Sequence, residues 1–159
     1  MICDIISSRG EKMNTRIMVR GRGANTGNWY YGTYFCHRPY MPSPMGEDRE
    51  KWENETKHCI IFQQSSDWGL PYTDVQVVVD PTTLGQCTGM HVKTTKGHRE
   101  YLYEGDIVKF RDEEFEVVWD TDIFRWILLQ GTTDCRALVI EMVDEIVKVG
   151  NKYDLERKD

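Results

Sequence analysis

No stretch of the 159 residues approaches the ~18 consecutive apolar residues that a membrane-spanning helix needs. No secretory leader is expected at these first residues, since Met1-Ile2-Cys3-Asp4-Ile5-Ile6 carries an acid where basic residues belong and its apolar run is short. The five cysteines, Cys3, Cys36, Cys59, Cys87 and Cys135, are odd in number and none stands in a Cys-x-x-Cys pair. That usage fits a reducing compartment and unpaired thiols. Gly21, Gly23 and Gly27 make no phosphate loop, because no Gly-Lys-Ser/Thr and no helix follows them. No nucleophile elbow is present either. These absences point to a soluble, cytoplasmic domain with no membrane contact, no cofactor and no enzymatic activity.

What is there is charged, aromatic and strand-like. Charged residues make up 29% of the chain and apolar residues 40%, so wholesale disorder is excluded. The net charge of −6 is uneven. Residues 1–40 hold six Lys/Arg against two Asp/Glu, while residues 41–159 hold fourteen against twenty-four. Phosphate is repelled by such a protein on average, which leaves the N-terminal stretch as the one place for a basic face. The alternative is that Arg16, Arg20 and Arg22 pair with acids elsewhere.

Arg16-Ile17-Met18-Val19-Arg20 alternates with the period of a half-buried strand, and Trp29 to Phe35 is rich in the aromatics that strands favour. The glycines between them mark a turn, so the two segments predict an N-terminal hairpin. Residues 37–57 contain three prolines and then a charged run, and read as a long loop with one or two helical turns at most. His58–Phe62 and Val75–Val79 read as strands, the second ended by Asp80-Pro81. Further strands are predicted at 107–110, 115–119, 123–129 and 145–149, with Thr94–His98 as a loop. Leu138, Val139, Met142 and Ile146 fit helical spacing and predict a short helix within 136–143. Three meandering strands, a helical turn and a last strand is the layout of a small SH3-like barrel.

Thr88-Gly89-Met90, Lys96-Gly97 and Tyr103-Glu104-Gly105-Asp106-Ile107-Val108 together resemble the YopX-like family of phage and prophage proteins. Val79 to Gln86 and Val149 to Asp154 resemble it as well. The resemblance spans roughly residues 13–155. It implies a mostly β fold of two small subdomains, an N-terminal pseudo-barrel and a C-terminal SH3-like barrel. The division then runs 1–12 as an N-terminal extension, 13–92 as the first subdomain with its loop 37–57, and 93–159 as the second. The resemblance carries no assigned activity. It implies a bacterial host cell. The leading expectation for function is an interaction or regulatory protein that binds host or phage proteins, and the alternative is a weak nucleic-acid binder using the basic, aromatic N-terminal hairpin.

Four groups of residues are candidate sites. Lys96, Gly97, Tyr103, Glu104, Gly105 and Asp106 form the best-marked segment. Gly105 supplies the positive φ of a turn and Asp106 can bond its own backbone two residues on. The competing reading makes Glu104 and Asp106 an acid–base pair, but no second site element accompanies them. Cys36-His37 and His58-Cys59 offer zinc-ligand types, yet neighbouring residues of a strand point to opposite faces, so no metal is expected. Arg16, Arg20 and Arg22 lie near Trp29, Tyr30 and Tyr31. That combination serves a core, a protein interface or a stacking surface for single-stranded nucleic acid. Finally, Tyr40, Met41, Met45 and Trp52 give the long loop apolar anchors for an interface. Eighteen aromatic residues are more than two small subdomains can hide, which predicts a homo-oligomer or a covering partner.

Overall fold

A computed structural model of the chain describes residues 18–38, 50, 53–65, 72–131 and 134–155. The protein is mostly β, as the sequence predicts. It falls into two compact units, Met1–Pro81 and Thr82–Asp159. The sequence reading puts that division between residues 92 and 93 instead.

The first unit contains β1 (Val19–Gly23), β2 (Trp29–His37), β3 (Lys57–Gln64) and the opening half of β4 (Thr73–Thr94). The predicted hairpin forms: β1 and β2 pair antiparallel with Arg22 opposite Trp29 and Arg20 opposite Tyr31. β3 pairs with β2 on one side and β4 on the other. β1 also pairs with β4, and Ala24 N–H donates to the Val78 carbonyl at 3.0 Å. Hydrogen bonds therefore join the first strand of this unit to its last. Cys59, Ile60 and Val79 are buried here.

The second unit takes the rest of β4, then β5 (Arg99–Tyr103), β6 (Asp106–Phe110), β7 (Glu113–Asp120), β8 (Arg125–Gln130), β9 (Asp134–Ala137) and β10 (Ile146–Asn151). A 3-10 turn at Ile140–Met142 precedes β10, and a helical turn at Lys152–Leu155 follows it. β6, β7, β8 and β9 form an antiparallel meander, and β10 returns to pair with β6. Period-2 alternation places one set of apolar side chains inside. Ile146 faces Phe110, Val108 faces Phe115 and Val117 faces Leu128 across successive rungs. These six join Val92, Leu102 and Leu138 in one buried cluster. Each such side chain contributes roughly 1.5–3 kcal/mol on leaving water.

Three local readings differ from the structure. Asp80-Pro81 does not end a strand; β4 runs through it for 22 residues. The rungs with β3 stop at Val78, so the missing Pro81 N–H breaks none of them. Ile123 and Phe124 lie in the β7–β8 turn and not in β8, because Asp120 Oδ1 accepts the N–H groups of both Asp122 and Ile123 and prolongs the turn. The helix predicted within 136–143 is a strand end plus one 3-10 turn; Leu138 and Ile146 meet in the core through tertiary packing, not through helical spacing. Among the described residues no helix is long and apolar enough to cross a membrane.

Candidate functional site

The Tyr103–Asp106 segment is a junction of backbone. Glu104 N–H donates to Gln86 O at 2.9 Å, Gly105 N–H to Val117 O at 2.8 Å, and Lys152 N–H to Gly105 O at 3.0 Å. Three separate stretches of chain are thus fastened to two consecutive residues. Gly105 has φ 77°, the left-handed region the sequence reading assigns to it. A Cβ there would lie 3.3 Å from the Lys152 and Tyr153 side chains. Asp106 is fully buried, and its carboxylate reaches back along the chain: Oδ2 accepts the Tyr103 N–H at 2.8 Å.

The second partner of Asp106 comes from β10. Lys148 Nζ lies 3.1 Å from Asp106 Oδ2 and 3.3 Å from Glu100 Oε2, and donates to the Tyr101 carbonyl at 3.4 Å. Glu100 in turn holds His98 Nε2 at 2.6 Å, and His98 Nδ1 meets Thr94 Oγ1 at 3.3 Å. The His98 hydrogen bond, helped by Lys148 and opposed by partial burial, holds the Glu100 carboxyl below its ordinary range. A polar hollow of about 290 Å3 opens beside this chain, lined by Thr94, Thr95, Lys96, His98, Glu100 and Lys148 among others. Lys96 and Gly97 sit exposed in the turn that borders it. The buried charges are matched to each other, which is the pattern of a structural lock. Burial raises the Cys87 thiol above its usual value, so this thiol is poorly ionised at neutral pH.

The hairpin residues separate into two roles. Arg20 is only 2% exposed, and its guanidinium sits 4.9 Å from the centre of the Trp29 ring. Arg22 approaches the same ring at 5.1 Å. Two of the three cations expected on an accessible basic face are therefore stacked on Trp29, and one is buried. Arg16 lies outside the described residues, as do Tyr40, Met41, Met45 and Trp52. Tyr31 is 45% exposed. Trp29, Tyr30 and Tyr31 line a groove of about 560 Å3 together with Phe62, Gln63 and Gln64 of β3. Tyr30 stacks on Phe62 with ring centres 5.8 Å apart. Among the described residues, the groove wall carries aromatic rings and neutral amides. Phe62, Gln63 and Gln64 escaped sequence reasoning; their signal is a strand whose polar end continues past its apolar run.

Register also sorts the cysteine–histidine pairs. Cys36 stands opposite His58, whereas Cys59 stands opposite Phe35 and His37 opposite Lys57. The four side chains are divided between the two faces of the sheet. His58 Nδ1 is bonded to the Tyr34 hydroxyl at 2.7 Å. Among the described residues no three His, Cys, Asp or Glu side chains gather as metal ligands would.

No protein-family model matches this chain, and no curated protein sequence matches it.

Proposed function

We propose that this chain is a non-enzymatic binding protein, phage- or prophage-encoded like the YopX-like proteins it resembles, that works in the bacterial cytoplasm through protein contacts. The observation that carries this reading is the aromatic groove on β2 and β3, lined among the described residues by rings and neutral amides. Large, stiff rings with nearby amides are the side chains that anchor protein interfaces. Tyr31 and Phe35, 45% and 44% exposed, lie on one face of β2 and extend the apolar surface beyond the groove. The occupants that fit are a second copy of the chain and a host or phage protein. A role in binding nucleic acid is disfavoured by the engagement of Arg20 and Arg22 with Trp29, since phosphate contacts need cations that face solvent.

The test is affinity purification from a lysogenic host with the natural chain and with the double variant Tyr31→Ser, Phe62→Ser. A protein retained by the first and lost by the second supports the reading. In parallel, a labelled oligonucleotide is titrated with salt. Tight binding that weakens steeply with salt would replace this reading with the nucleic-acid one.

A further inference from the structure

We infer that the outer edge of β9 is a seam between two copies of this chain, paired antiparallel about a two-fold axis through Cys135. Among the described residues β9 pairs with β8 and with no other strand. Asp134 and Cys135 are exposed, and Arg136 and Ala137 are half-buried. Leu138 N–H donates to Trp126 O at 3.0 Å, and the ladder continues with Ala137 opposite Ile127, Arg136 opposite Leu128 and Cys135 opposite Leu129. Backbone hydrogen-bonding groups alternate from side to side along an antiparallel strand. Arg136 and Asp134 therefore turn theirs toward β8, whereas Cys135 and Ala137 turn theirs outward. Such a row is a template for another strand.

The charges on β9 choose the occupant. Proteins commonly guard an edge with lysines, and a guard of one sign repels its own copy. β9 carries both signs. Asp134 and Arg136 share one face of the strand, with Arg136 Nη2 3.7 Å from Asp134 Oδ2 and 3.0 Å from Glu113 Oε2. The Arg136 guanidinium also lies 5.0 Å from the centre of the Phe115 ring, which steadies it. A two-fold axis through Cys135 sets each Asp134 opposite Arg136 of the second copy, and the four side chains make a square of alternating charge. Five N–H donors let each guanidinium serve Glu113 and a second carboxylate together. An axis through Arg136 instead sets that residue against itself, and an axis through Ala137 leaves Arg136 opposite Leu138. Charge thus selects the first register. A foreign strand would need the same acid and base two residues apart; a second copy has them by construction.

In this register the two Cys135 residues form a hydrogen-bonded pair with Cα atoms about 5.5 Å apart, which a disulfide can span. Their thiols lie on the face opposite the charges. So short a contact is weak, populated at high protein concentration and lost at the dilution of size exclusion. It uses none of the residues of the aromatic groove on β2 and β3.

The experiment treats the full chain at high concentration with diamide, which takes two electrons and two protons from a pair of thiols as their disulfide forms. Linked peptides are then identified by mass spectrometry. A Cys135–Cys135 bridge should be the main product between chains. Asp134→Arg and Arg136→Asp should each slow its formation about tenfold, because like charges then face each other on both rungs. Mixing the two variants should restore it, since each chain supplies the sign the other lacks. Asp134 is exposed, so Asp134→Arg keeps its melting temperature and stands as the test even if Arg136→Asp fails to fold. Without any oxidant, hydrogen exchange at the Cys135 amide of the natural chain should slow as concentration rises. Bridging undiminished in Asp134→Arg, a mixture of folded variants no better than either alone, or bridging of Cys135 to Cys36 as fast as to itself overturns the inference. So does Cys135 exchange that is independent of concentration, which would leave this edge to water or to a strand of another protein.

Discussion

Lys148 and Asp106 meet at 3.1 Å, with the carboxylate fully buried and the ammonium nearly so. The lysine arrives from the last strand and the aspartate from the junction where three stretches of chain are bonded together. Their contact links the end of the second unit's chain to its middle. A buried pair is not in itself a source of net stability, but removing one member leaves the other charged and poorly solvated.

The Asp106→Ala variant is accordingly expected to lose about 3–5 kcal/mol of unfolding free energy. Asp106→Asn should lose less, because the amide oxygen still accepts the Tyr103 N–H. Urea denaturation of the three proteins checks this. Equal midpoints for the natural chain and Asp106→Ala would remove the lock from the account.

Glu100 makes a prediction about acid. Its carboxyl is held low in the folded chain, first by His98 and then by Lys148. Folding stability from this group is present in full above the ordinary carboxylate range and drains away as pH falls through the lowered value. The group is exposed enough that solvent screens much of the effect. Urea midpoints measured from neutral pH downward should fall less steeply in Glu100→Gln than in the natural chain. Parallel curves would mean that the His98–Glu100 contact is thermodynamically idle.

Two glycines of the second unit should respond in opposite ways to alanine. A Cβ at Gly85 would lie 2.6 Å from the Glu104 carbonyl oxygen, which is backbone and already part of the junction. A Cβ at Gly150 meets nothing within 4 Å. Gly85→Ala should cost about 1–3 kcal/mol by overpacking, whereas Gly150→Ala should stay within about 0.5 kcal/mol of the natural chain. Thermal unfolding of both variants decides the matter.

The aromatic face of β2 makes a prediction about assembly. If a second copy covers Tyr31 and Phe35, light scattering after size exclusion will give a mass above 18.7 kDa that rises with concentration. Tyr31→Ser with Phe35→Ser should return the chain to that mass without a large change in melting temperature, since both side chains are well exposed. A monomer at every concentration assigns the face to a different protein.

The strands with an inward apolar rhythm were legible in the sequence. Phe115, Val117 and their neighbours announce β7 because one face of it must be buried. β5 and β9 were not legible, for the converse reason. Arg99-Glu100-Tyr101 is exposed throughout, and Asp134-Cys135-Arg136-Ala137 is a four-residue strand with no fully buried residue, so neither shows the alternation that betrays a buried face. The Gly105 turn was legible because only glycine is at ease at that φ. The partner of Asp106 was not, because pairing between residues 42 positions apart leaves no local mark. One clue existed: Lys148 shares the parity of buried Ile146 on β10, and a lysine at an inward position needs a carboxylate to meet it.

The left-handed Phe124 also bears on descent. A position that strains its backbone and exposes a large ring gains nothing from chance substitution toward aromatics, and mutation alone should carry it to glycine, asparagine or aspartate. The ancestry of this turn therefore contains its own record. Where descendants of the gene keep a ring at this position, selection has repeatedly refused the easier residue; where they have lost it, whatever once required the ring has lapsed.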